Sequence, residues 1–185
     1  MASAFWCIVE DDRAGRPKKV TGEVLGEAAR LARQLGGQAE AVWLTDKATD
    51  EGLKQLAEWG AARVWLLENP ALAPYRGEVW TPALAELAAK EAPQGIFGAV
   101  TARQRELLAR LAARLGVGLS ADSVAFSLQD GKLVATRPVY AGKLLSKVTW
   151  SKPPWLATLR PNVFRLEDPK TGATPQVERP AVAIP

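Results

Sequence analysis

The sequence predicts an α/β fold of three layers, α/β/α, with a mostly parallel sheet extended by C-terminal antiparallel strands. Two observations lead there. Up to Leu119, short apolar runs that read as buried strands alternate with amphipathic helical stretches, four of each, which is the pattern of a doubly wound sheet with right-handed crossovers. After Leu119 the pattern changes to short β segments separated by turn residues.

The first strand is expected over Ala4 to Val9, with Glu10, Asp11 and Asp12 at its carboxyl end. A charged loop containing Gly15 and Pro17 leads to Thr21, read as the N-cap of a helix whose inner stripe is Val24, Leu25, Ala28, Leu31, Ala32 and Leu35. Gly36 and Gly37 close it. Ala39 to Leu44 is the second strand, Glu51 to Trp59 the second helix with Gly60 as its C-cap, and Ala62 to Leu67 the third strand. Asn69, Pro70 and Pro74 mark a loop before a longer helix from about Glu78 to Glu91, in which Pro82 is tolerable only in the first turn.

The fourth strand and helix carry the strongest local signals. Ile96 to Val100 is apolar and small throughout, as a strand buried on both faces should be, and Thr101 stops the run. From Ala102 to Leu115, Leu107, Leu108, Leu111, Ala112 and Leu115 recur at helical spacing, with Arg103, Glu106, Arg110 and Arg114 on the other face. Thr101 is placed to cap the free amides, Glu106 and Arg110 form a favourable i,i+4 pair, and Gly116 can take the left-handed conformation that ends the helix. Further on, Ala121 to Leu128 and Lys132 to Tyr140 flank Gln129-Asp130-Gly131 as a hairpin, and Leu144 to Trp150 and Trp155 to Leu159 add two strands. From Glu167 the chain is poor in apolar residues and rich in Pro, Thr and Gly, so residues 1–166 are expected to form one domain and 167–185 a tail or linker.

Composition removes several function classes. The chain has no histidine, which excludes His-dependent triads and the common zinc sites, and its single cysteine, Cys7, lies in an apolar run as a small buried hydrophobe. No run is long enough for a bilayer span and the N-terminus lacks the features of a leader, so a cytoplasmic protein without membrane insertion is expected. Net charge is +4, and the one dense basic cluster, Arg13, Arg16, Lys18 and Lys19, is broken by Gly15 and Pro17 as in a solvated loop, not a nucleic-acid surface.

Ligand motifs are sparse. Neither G-x-G-x-x-G after the first strand nor a Walker lysine motif occurs. Glu10, Asp11 and Asp12 could hold magnesium, but as adjacent carboxylates at a strand end they read as solvated loop residues, and no metal is expected. Ligands of open α/β sheets gather at the carboxyl ends of strands, which makes Glu10, Asp12, Thr101 and Arg105 the candidates for a nucleotide or anion, with Arg103 beside them. Against that stands the plainer reading of capping and surface charge. Trp6, Trp43 and Trp65 fall in three different strands and read as core. Trp150 and Trp155 flank Pro153-Pro154 and are the candidates for a partner surface.

Several segments together resemble one family. Thr101, Arg105-Glu106-Leu107 and Arg110-Leu111-Ala112-Ala113-Arg114-Leu115 resemble a signature of the electron-transfer flavoprotein alpha subunit. Arg137-Pro138-Val139-Tyr140-Ala141-Gly142 and Thr158-Leu159-Arg160-Pro161 with Phe164 are similar to two further segments of that family, as are Gly60-Ala61 and the Pro70, Leu72, Tyr75 loop. Gln104, Glu106 and Ala109 replace its usual glycine, aspartate and proline. The resemblance implies an N-terminal domain related to adenine-nucleotide alpha hydrolase-like folds, with a structural and subunit-association role.

In the complete family protein a C-terminal domain with a glycine-rich segment carries FAD, and no matching segment occurs before Pro185, so this chain alone is expected to bind no FAD. The implied partner is the beta subunit, which is expected to hold AMP. Through the complete complex, electrons would pass from dehydrogenases to a quinone oxidoreductase and the respiratory chain. The alternative is a free-standing adenine-nucleotide-binding α/β protein. An enzyme has the least support, because no acid–base pair or activated nucleophile can be assembled.

Overall fold

The computed structural model describes residues 4–12, 14–166 and 168–185. Its first half follows the predicted alternation: β1 (Ala4–Ile8), α1 (Lys19–Gln34), β2 (Gln38–Thr45), α2 (Asp50–Glu58), β3 (Arg63–Glu68), α3 (Gly77–Glu91), β4 (Gly95–Ala99) and α4 (Ala102–Leu115). The second half adds β5 (Leu119–Ser123), β6 (Ala125–Gln129), β7 (Lys132–Val139), β8 (Leu144–Thr149), β9 (Trp155–Leu159) and β10 (Gln176–Glu178).

The main sheet has seven strands in the order β10-β3-β2-β1-β4-β9-β5, and every pairing in it is parallel. Strand alternation divides its side chains between two cores. Phe5, Cys7, Trp43, Val64, Leu66, Phe97 and Ala157 face α1 and α2, whereas Trp6, Ile8, Val42, Leu44, Trp65, Ile96 and Leu156 face α3 and α4. This is the three-layer α/β/α arrangement. The strand order reverses between β1 and β4, so the crevice of a doubly wound fold lies at their carboxyl ends.

The last six strands depart from a simple antiparallel extension. The expected strand from Ala121 to Leu128 is two strands: β5 closes the parallel sheet, and β6 leaves it for a separate three-stranded antiparallel sheet in the order β6-β7-β8. The strands part at Val124, just past a bulge at Asp122, which is in the left-handed region at φ 61° where the register of β5 against β9 shifts. β9 then returns as an interior parallel strand between β4 and β5. The region read as a tail contributes β10 to the edge of the sheet beside β3, and Val182 and Ile184 pack on the core under α3 and α4.

Three further corrections are local. Thr21 is not a cap: α1 begins earlier with Lys18 as N-cap, and the buried Thr21 hydroxyl donates to the Glu10 carbonyl and accepts from the Glu10 amide. Pro82 lies beyond the first turn of α3. Trp150 and Trp155 are 7% and 4% exposed, because Trp150 donates its indole N–H to the Gly118 carbonyl at 2.8 Å and Trp155 packs on Phe5. Both are core residues, and neither offers a partner surface. Arg13 and Glu167 lie outside the described residues.

Candidate functional site

Beside the crevice, at the carboxyl ends of β1 and β2, lies a cleft of about 540 Å³ lined by Glu10, Asp11, Asp12, Lys18, Asp46, Tyr75, Trp80 and Arg103, among others. α4 contributes Arg103 to its wall. Thr101 caps that helix by accepting from the Gln104 amide, and the same hydroxyl donates to Glu10 Oε2 at 2.9 Å. Because α4 starts beside the end of β1, the first-turn Arg103 turns back over the strand ends instead of facing solvent. Its guanidinium donates to Asp11 Oδ1 at 2.8 Å and to Glu10 at 3.3 Å, and lies 5.2 Å from the centre of the Trp80 ring. Lys18 adds a longer contact to Glu10 at 3.6 Å, and Trp43 donates its indole N–H to Asp11 Oδ2 at 2.8 Å.

Gln104 completes the arrangement. It is buried, its carbonyl accepts from the Ala99 amide at 2.6 Å, and its amide donates to the Ile8 carbonyl at 2.9 Å, joining the carboxyl ends of β4 and β1. Gly98 makes room for it, since a Cβ there would stand 2.5 Å from Gln104 Oε1. Gln104 is therefore a structural bridge.

The predicted site residues separate. Glu10 and Thr101 meet, as expected of a strand-end constellation, but in each other's company and Arg103's. Asp12 turns into its own loop, accepting from the Ala14 and Arg16 amides and the Arg16 guanidinium. The Arg16 amide contributes most to holding its carboxyl below the usual carboxylate range. Arg105 is exposed on the outer side of α4, away from Glu10. Of the basic loop, Arg16 pairs with Asp12, Lys18 with Glu10 and Lys19 with Glu23. Burial pushes the Cys7 thiol well above its ordinary range, so it is no nucleophile. Tyr75 packs edge-on against Trp80, and burial, then the Glu106 charge, pushes its hydroxyl up to about 12.

A dinucleotide does not fit this cleft. A pyrophosphate needs an amide-lined turn and unpaired cations. Here the Gln104 amide of α4 is capped by Thr101, the Arg103 guanidinium is committed to Glu10 and Asp11, Lys18 lies on Glu10, and Glu10, Asp11, Asp12 and Asp46 make the wall predominantly acidic. FAD chemistry therefore has no holder among these residues. Among the described residues no three His, Cys, Asp or Glu side chains gather as metal ligands, and no helix is long and apolar enough to cross a membrane.

Sequence reasoning missed a second buried network. Glu40 on β2, 3% exposed, accepts from the indoles of Trp6 and Trp65 at 3.0 and 2.7 Å and from the Gln38 side chain at 2.8 Å, with Arg63 3.6 Å away. The signal was present: a glutamate inside an apolar strand flanked in space by two tryptophans needs donors.

Comparison with known proteins places these features. The family model described as electron transfer flavoprotein domain matches residues 5–185. The protein FixB of Clostridium saccharobutylicum is 36% identical over 182 residues, covering 97% of this chain and 53% of the relative. The electron transfer flavoprotein subunit alpha of Thermoanaerobacterium thermosaccharolyticum is 34% identical over 163 residues, with 87% and 49% covered, and that of Syntrophomonas wolfei 33% over 178 residues, with 96% and 54% covered. The chain spans about half the length of these curated relatives.

Proposed function

This chain belongs to the electron transfer flavoprotein domain family, and we propose that it is the structural and subunit-association portion of an alpha-type subunit. In this reading it pairs with a beta-type subunit in a flavoprotein that carries electrons from dehydrogenases toward a quinone oxidoreductase and the respiratory chain. FAD is held outside this chain, and AMP is assigned to the beta-type subunit.

The observation that supports this best is the strand-end cleft filled by the chain's own ion pairs. A fold built to bind nucleotides has there a guanidinium, two carboxylates and a capping threonine that satisfy one another. That leaves association as the work the chain can do, in keeping with relatives named as alpha subunits. Residues 1–166 carry this work in the proposal, and β10 binds the following segment to the sheet edge. The test is direct. Purified chain incubated with FAD and desalted should show no flavin absorbance, and mixed with the beta-type subunit of the same organism it should co-elute as a complex. Stoichiometric FAD retained by the chain alone would overturn the proposal.

A further inference from the structure

One face of β7 lies on the core: Leu133 and Ala135 are fully buried, as strand alternation allows for residues two apart. The next residue on that face is Arg137. β6 pairs with β7 only from Lys132 to Thr136, whereas β8 pairs with it up to Val139, so residues 137–146 continue as a two-stranded arm and Arg137 stands at its base. A guanidinium thus occupies a place where the strand's own pattern calls for an apolar side chain. Its buried Nε has no hydrogen-bond partner among the described residues. Buried donors are nearly always satisfied, so one that is not points to a group that would satisfy it.

Arg137 lines a cleft of about 210 Å³ between the connection from α4 to β5, at Val117 to Ser120, and the end of β8 with the loop after it, at Val148 to Lys152. The other buried polar groups of its wall are occupied. Trp150 donates to the Gly118 carbonyl, the Thr149 hydroxyl donates to the Leu133 carbonyl at 2.8 Å, and the hydroxyls of Ser120 and Ser123 bond each other at 2.9 Å. At the rim, the exposed side chains of Ser151 and Lys152 have no partner among the described residues. The cleft has no Asp or Glu in its lining. Asp122 feels the Arg137 charge, but Arg160 already holds that carboxylate bidentately.

We infer that this cleft binds a small tetrahedral oxyanion, inorganic phosphate, through the Arg137 guanidinium, the Lys152 ammonium and the Ser151 hydroxyl. A planar fork beside a point charge is the pairing that phosphate oxygens favour, and a dianion answers two cations with no carboxylate nearby to repel it. A monocarboxylate would engage the fork and leave the lysine unmatched. Size excludes more: 210 Å³ lies below the roughly 300 to 1,000 Å³ of pockets that enclose cofactors and similar ligands, so no nucleoside follows the phosphate in. The bound ion would join the connection before β5 to the one after β8, and so tie the parallel sheet to the antiparallel one. The inference goes beyond the association proposed above and does not depend on it.

Calorimetry and thermal melts of the full chain in sodium phosphate, against sodium chloride at matched ionic strength, provide the test. One saturable site is expected, with a melting temperature that rises with phosphate and not with chloride. Arg137→Lys keeps the charge but loses Nε and the fork, and should weaken binding by about tenfold or more. Lys152→Gln should also weaken it while leaving the melting temperature in chloride unchanged. Lys143→Gln, the same change of charge on the arm, should bind as wild type does. If Arg137→Lys fails to fold, Lys152→Gln alone decides. Sodium sulfate should compete with phosphate, and displacement by AMP as strong as by sulfate would overturn the assignment to a free oxyanion. Absence of saturable binding overturns the inference. So does wild-type affinity in both cleft variants, or an equal effect of chloride, either of which marks an adventitious ion only.

Discussion

The strand-end cleft and the β7–β8 arm are built on opposite rules. In the cleft, charged groups are drawn inward and matched: Arg103 lies between Glu10, Asp11 and the face of Trp80, and Gln104 ties two strand ends together. On the arm, cations and large apolar side chains are held outward and unmatched. A polar cluster that satisfies itself contributes to holding the fold and has little left for a ligand. A surface that leaves charge and apolar area uncovered contributes little to the fold and is available to a partner. Substitutions in the first region should therefore change stability, and in the second, association.

The largest effect is expected under the cleft. Leu111 is fully buried on the inner face of α4, and Leu111→Ala should destabilise by about 2 to 5 kcal/mol, whereas Arg114→Ala on the exposed side should change stability by less than about 0.5 kcal/mol. Equal shifts in denaturant midpoints would mean that the faces of α4 are misassigned. Next comes Arg103→Ala, which leaves Asp11 without its cation and Glu10 with only the longer Lys18 contact, both carboxylates at 7% side-chain exposure. A loss of about 3 kcal/mol in urea unfolding is expected. A loss no greater than that of the arm variants would erase the contrast.

Between the two regions lies Asp122, at the bulge where β5 gives way to β6, joined bidentately to Arg160. The Arg160 side-chain hydrogen bonds hold its carboxyl below its ordinary value of 3.8. The contribution is thus complete above that value and is lost as pH falls through the lower folded one. Asp122→Asn should remove it, by less than about 1 kcal/mol because the pair is largely exposed, and should leave the two proteins converging in stability below about pH 4. The smallest effect on stability belongs to the arm: Leu144→Ser should stay within about 0.5 kcal/mol of wild type in the same melts. A large loss would place Leu144 in a contact that the contrast denies it.

Much of the first half was legible because its information is local. Thr101, the 3.6-residue period and Gly116 define α4 to the residue, and Asp130-Gly131 announces its hairpin. What stayed hidden depends on distant pairing. Nothing within Trp155 to Leu159 says that it will lie between β4 and β5, and the alternation from Ala121 to Leu128 runs through the bulge at Asp122 and the break at Val124 without a Gly or Pro to mark them. Trp150 looked exposed because its partner, the Gly118 carbonyl, comes from another strand connection. Helical periodicity put Arg103 on the outer face of α4, correctly for a mid-helix residue. In the first turn, however, a long side chain reaches the strand ends. The family segments pointed to the right fold, but the candidate residues Asp12 and Arg105 fell outside the cluster that forms.

The central claim, that this chain works by association and not by holding a nucleotide, is tested most directly by titrating the purified chain in a calorimeter with FAD, with AMP and with the beta-type subunit. The account predicts saturable heat with the subunit only. Stoichiometric binding of FAD or AMP that changes on Glu10→Gln, with no heat from the subunit, would contradict it and make the cleft the working site.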